Sequence, residues 1–158
     1  MSDEPNVEAL QQQATELMRK DVGVWNARWE FLDGEGNIAS EAKGTQTCKF
    51  VIADRVLQII IDVPELDLQS VSHRFFKPAD RLVHWLSVDK KGDFWEFIED
   101  PITKMARSLP HLNEDGTTSV LRFTSLRETD DESDVLMELS NNEGQNWVPI
   151  FRQYRVRQ

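Results

Sequence analysis

The chain is short of cysteine, of basic charge and of long apolar runs, and each shortage removes a class of protein. Its single cysteine, Cys48, cannot close an internal disulfide, and no Cys-x-x-Cys or Cys/His cluster offers ligands at zinc spacing. A small buried hydrophobe is expected at that position, the alternative being a reactive thiol. Lys and Arg number 18 against 28 Asp and Glu, a formal net charge of −10. Contact with a phosphate backbone needs clustered cations that displace counterions, so nucleic acid is not expected as a partner. No apolar stretch approaches the ~20 residues of a membrane-spanning helix. The opening Met-Ser-Asp-Glu-Pro has no basic segment and no apolar stretch behind it, so a cytoplasmic protein without a leader is expected. Catalytic signatures are missing as well: no Ser/His/Asp spacing, no Gly-rich phosphate loop and no metalloprotease helix. The acidic run from Glu128 to Asp134 lacks the Gly and the closing Glu of a calcium loop, and reads as a solvated hairpin tip.

What is present fits one domain over residues 1–158, with 39% hydrophobic and 29% charged residues, enough to bury a core without staples. Val7, Leu10, Ala14, Leu17 and Met18 fall on one stripe at helical spacing, which predicts a helix over 6–20. Asn6 can cap its start, Glu8 suits its positive end, and Arg19 and Lys20 suit the other. The stripe predicts a lid or plug packed on the body. From Val22 the period changes to two, Trp25, Ala27, Trp29 and Phe31 alternating with Asn26, Arg28 and Glu30. Alternation continues through 38–51, 55–63, 70–77, 81–88, 93–99, 103–108, 117–127, 134–140 and 146–156, separated by "DGEGN", "KPAD", "DKKGD", "NEDG" and "NNEG". Strands joined by short turns make an antiparallel meander, and so long a sheet is expected to close, since closure removes its edges. The expected fold is therefore mainly β, an up-and-down barrel of about eight to ten strands over 22–156 with one N-terminal α-helix. Pro149 predicts a bulge or an unpaired position in the last strand.

Two local patterns carry resemblances. "SNNEGQNW", Ser140 to Trp147, resembles the Asp-box of sialidases with Asn142 in the Asp position. Sialidases carry several boxes on a much longer propeller chain, so a single box here is read as a hairpin turn. "DVGVW" places Gly23 and Trp25 at the junction of helix and first strand, which resembles the Gly-x-Trp pattern of lipocalins and the wider calycin group. The whole chain is similar to a group of bacterial lipocalin-like domains of about this length, a resemblance that brings no established activity with it. It implies a Trp packed in the barrel base and covered by an Arg from a late strand, for which Arg152, Arg155 and Arg157 are available.

A barrel of this size has room for one small ligand. A β-hairpin centred between Pro78 and Ala79 would set His73 opposite His84 on an apolar face with Phe75, Cβ atoms roughly 4.5–5.5 Å apart. Such a pair could bind a metal or haem, hydrogen-bond a ligand or supply a general base, the alternative being two core or rim histidines satisfied by backbone and neighbours. Trp25, Trp29, Trp85 and Trp95 could form aromatic walls, and Arg122 and Tyr154 could supply polar contacts. The leading expectation is a protein that binds a small apolar or amphipathic molecule inside the barrel. No cofactor is expected; an enzyme using haem or acid-base chemistry at His73/His84 is the alternative, and an interaction module or homodimer is the third reading.

Overall fold

The computed structural model describes residues 5–158. The expectation about a leader rests on residues 1–4, which lie outside them. One α-helix, α1 (Val7–Arg19), is followed by eleven strands, with a 3-10 turn at Pro64–Leu66 between the third and fourth: β1 (Gly23–Leu32), β2 (Ile38–Ile52), β3 (Val56–Val63), β4 (Leu68–Lys77), β5 (Leu82–Asp89), β6 (Phe94–Glu99), β7 (Ala106–Ser108), β8 (His111–Leu112), β9 (Thr118–Glu128), β10 (Glu132–Ser140) and β11 (Val148–Arg157). All pairings are antiparallel, and β11 returns to β1. Ten strands close the barrel, and the short β8 adds a third pairing to β9, beside those with β7 and β10.

Three hairpins are closed by the same five-residue loop. In Asp33–Asn37, Asp89–Asp93 and Asn113–Thr117 the first N–H donates to the fifth carbonyl at 2.8, 3.0 and 2.8 Å. The fourth residue is a glycine at φ 84 to 86°, whose N–H donates back to the first carbonyl at 3.0 Å. That left-handed position is why Gly recurs there. Asp33 and Asp89 also accept the third and fifth N–H groups on Oδ1 at 2.9 Å. These two aspartates are thus turn chemistry.

The helix lies across one end of the barrel. Asn6 Oδ1 accepts the Ala9 N–H at 2.7 Å, Glu8 and Arg19 occupy the expected ends, and Leu10, Ala14, Leu17 and Met18 are buried. Leu10 and Ala14 pack on Phe76 and Val83 at the β4–β5 end, while Met18 packs on Trp25, Cys48, Leu57 and Ile59. Thr15 and Arg19 bind the Asp54 carbonyl and carboxylate at the β2–β3 turn, at 3.1 and 2.8 Å. These contacts make the helix the plug that its stripe predicts. Cys48 is buried at 2% exposure, and burial, with the nearby Asp21 charge, pushes its thiol up to about 11. A reactive thiol does not fit that environment.

Pro149 faces Glu138 while Phe151 faces Met137, so Ile150 is the extra residue of a bulge, as the proline predicts. The expected β4–β5 register is wrong. The loop is Pro78–Arg81, with Lys77 facing Leu82, the Arg81 N–H bonded to the Lys77 carbonyl at 2.9 Å, and Arg81 at φ 61°. Its centre is one residue later than expected, so His84 faces Phe75 and His73 faces Leu86. The two histidines are not partners.

At the helix–barrel junction Gly23 takes φ 136°, and a Cβ there would lie 2.5 Å from an Arg157 guanidinium nitrogen. Arg157 crosses this point to bind the Lys20, Val22 and Asp130 carbonyls. Gly23→Ala is expected to lower stability by about 1–3 kcal/mol in urea unfolding. Gly34→Ala, where a Cβ meets nothing within 4 Å, should stay within about 0.5 kcal/mol of the parent.

Candidate functional site

The inward face is set by burial. Trp25, Ala27 and Trp29 point in from β1, Ser72, Arg74 and Phe76 from β4, and Val83 and Trp85 from β5. Inside lies a cavity of about 290 Å³. Its wall is aromatic: Trp85 is stacked with Phe123 and tilted on Phe97, centroids 5.2 and 5.3 Å apart, and Trp95 lies 6.3 Å from Phe97. Trp29 and Phe151 complete this side.

The end nearest the helix is polar. Asp21 follows α1 directly, and its carboxylate accepts from Arg74 of β4 at 2.7 Å and from Arg155 of β11. Arg74 also donates to Glu99 of β6, and Arg155 Nε donates to Ser133 Oγ of β10 at 2.6 Å. Helix end and four strands are tied through two guanidinium groups and two carboxylates, a set without net charge. The side chains of Arg74 and Glu99 are only 5% and 8% exposed, so pairing has to offset their desolvation. Burial pushes the Asp21 carboxyl up, but the charges and hydrogen bonds of Arg155 and Arg74 outweigh it and hold the group below its usual range. Burial likewise pulls the Arg74 guanidinium down, and Glu99 and Asp21 more than reverse that. Arg74 remains a cation over the Trp85 ring at 5.3 Å, and its buried Nε–H has no acceptor among the described residues.

Trp25 forms the base beneath this network. Its indole N–H donates to the Asp21 carbonyl at 2.8 Å, and the Arg155 and Arg157 guanidinium carbons stand 4.2 and 4.1 Å from its ring centroid. Two of the three arginines available from the sequence cover the tryptophan. Arg152 instead pairs with Asp134.

Of the expected site residues, Trp29, Trp85 and Trp95 line the cavity, and Trp25 packs below it. His73, Phe75, His84, Arg122 and Tyr154 alternate to the outer face, a correction to the inward apolar face expected for the histidines. His84 stacks on Phe75 at 5.9 Å and meets Asp80 at 2.6 Å, whereas His73 approaches Gln58 at 3.4 Å. Arg122 pairs with Glu138 and covers Trp147, and Tyr154 lies under Arg28 at 5.3 Å. His111, the first residue of β8, stacks on Trp95 with centroids 3.9 Å apart. The Ser140–Trp147 stretch is a turn: Ser140 Oγ accepts the Gly144 N–H at 2.8 Å and Asn142 Oδ1 accepts the Asn146 N–H at 2.9 Å.

Sequence reasoning missed the polar end altogether. Its signal was there: Arg74 shares a strand face with Ser72 and, across the hairpin, with Trp85 and Ser87. That mixed face is the inner one.

No family model and no curated protein matches the chain. Among solved structures, it is similar to that of EF1p2_mFAP2b bound to DFHBI, at 6% identity over 92% of this chain and 99% of that one, with a TM-score of 0.44.

The depressed Asp21 carboxyl sets a pH dependence. Its folded value lies below the unfolded one, so its contribution is complete above about pH 4–5 and is lost as pH falls through the folded value. The urea midpoint should be flat near neutrality and drop below about pH 4. Asp21→Asn should cost about 3–5 kcal/mol at pH 7, because two buried cations lose their carboxylate, and should show a shallower acid decline.

Proposed function

We propose that this barrel binds a small, largely apolar molecule with one hydrogen-bonding end, and holds it without changing it. The observation that carries the reading is the division of the cavity into a wall of stacked aromatic rings and a charge-balanced polar end at Arg74, Asp21, Glu99 and Arg155. A ligand ring can lie against Trp85, Trp95 and Phe123, and an acceptor atom placed toward the polar end would satisfy the Arg74 Nε–H. Few precise polar groups in a mostly apolar hollow are the usual composition of a small-molecule site. Kinship with lipocalin-like barrels is supported by the helix running into Gly23 and Trp25 and by the two guanidinium groups over that ring.

The neutral naphthalene ketone prodan tests this directly. Its emission should shift to the blue on addition of the protein, with energy transfer from tryptophan and a micromolar Kd, and Ser87→Trp, which puts an indole into the hollow, should abolish both. No spectral change at the solubility limit of prodan, or an unchanged Kd in the variant, would reject the reading.

A second reading, self-association, is favoured by one row on the outer face. Ile60, Val71, Val88 and Phe94 are successive partners across β3 to β6, and Ile60, Val88 and Phe94 are 37, 45 and 50% exposed. Such a row suits a second copy of this chain. Sedimentation should then show a dimer that Phe94→Asp converts to monomer; a parent that stays monomeric at high concentration ends this reading.

A further inference from the structure

We propose that ligands enter and leave sideways, through a gap in the barrel wall between the β6–β7 turn and the free edge of β9; this rests on the cavity being the ligand site. The wall is thin there. β7 and β9 pair at two positions only, Ala106 with Phe123 and Arg107 with Arg122. Beyond Phe123, residues Thr124 to Glu128 lie alongside β10, with Ser125 facing Val135 and Glu128 facing Ser133, while among the described residues no strand covers their other edge.

The β6–β7 turn cannot cover it because its amides are already used. Asp100 Oδ1 accepts the N–H groups of Ile102 and Thr103 at 2.8 and 3.0 Å, the Asp100 N–H donates to the Met105 carbonyl at 3.0 Å, and the Lys104 N–H donates to the Asp100 carbonyl at 2.8 Å. With Lys104 at φ 61° the chain folds back on itself instead of running along β9.

The cavity reaches the surface at this place. Among its lining residues three are exposed, Lys104, Ser125 and Glu128, and all three border the gap. Ser125 shares the inward alternation of Leu121 and Phe123, so its exposure means that the wall beside it is missing. Around the gap stand Ile102, Met105 and Leu126, 54, 74 and 50% exposed. Five residues of unpaired strand edge beside an apolar rim are a liability that folds ordinarily cover; at the mouth of a cavity they give an apolar molecule a surface to cross. The two ends of the barrel are less open. Helix α1 covers one, and at the other Phe31, Leu68 and Phe151 pack around Val63 and Trp29. Lys104 and Glu128 carry opposite charges, so the mouth favours neutral amphipathic molecules over ions of either sign.

Stopped-flow mixing with prodan separates this route from the binding itself. Leu126→Trp enlarges the rim of the mouth at an exposed residue outside the cavity lining and leaves the polar end and the aromatic wall intact. Its association and dissociation rate constants should both fall about tenfold while Kd stays within about twofold, since a barrier in the path changes both rates and not their ratio. Asp100→Ala, which releases the turn, should raise both. Parent-like rates in both variants, with prodan still bound, would overturn the portal and leave the binding site standing. A changed Kd at an unchanged association rate would overturn it too, by making Leu126 part of the site. Failure of the parent to bind prodan removes the site and the portal together.

Discussion

Asp21 is the point on which this structure turns. It leaves the last turn of α1 and accepts from β4 and β11 at once, while Arg74 carries the chain of contacts on to Glu99 of β6. Two guanidinium groups inside a barrel would be untenable alone, and so would two carboxylates; together they are neutral and nearly saturated with hydrogen bonds. The same residue lies between the end of the helix and the start of β1, and its carbonyl orients the Trp25 indole. Plug, base and polar end of the cavity are therefore one assembly.

That assembly explains why the hollow persists. Side chains from all walls could fill a small barrel, as apolar cores usually are filled. Here the arginines and carboxylates are held to one another at the helix end, and Trp85 is held between Arg74, Phe97 and Phe123. Groups anchored to their neighbours cannot relax into the space above them, and the hollow is left with one charged and one aromatic side.

The strands and turns were legible because period-two alternation and Gly-bearing loops are local signals. The fourteen residues from Arg19 to Leu32 alone announce helix end, junction and first strand. The face of the β4–β5 hairpin was not legible, because the usual rule that the more apolar face points inward fails around a polar cavity. Val71, His73, Phe75 and Leu86 look like a core face and lie outside; Ser72, Arg74 and Ser87 look like a solvent face and lie inside. The register failed for a different reason: nothing in "KPAD" says that Arg81 adopts φ 61° and lengthens the loop. β8 escaped notice because two residues, set off from β7 by Leu109 and Pro110, carry no periodicity. The face of Arg74 was the one local trace of the polar end; its partners Asp21, Glu99 and Arg155 lie far apart in the chain, where alternation cannot pair them.

One consequence of the topology concerns the order in which the molecule can be made. Every strand contact links neighbours along the chain except β7 with β9, which passes over the two-residue β8, and the seam between β1 and β11. Arg155 follows Asp21 by 134 residues, so a chain emerging from a ribosome can lay down hairpin after hairpin while its first strand waits, with an open edge and an indole not yet covered. Closure of the seam is the slow, long-range event of folding, and its loop entropy is the largest single cost of the topology. A nascent chain arrested before its final strand would present two unpaired edges, which makes the interval before closure the period in which holdase chaperones would have most to protect.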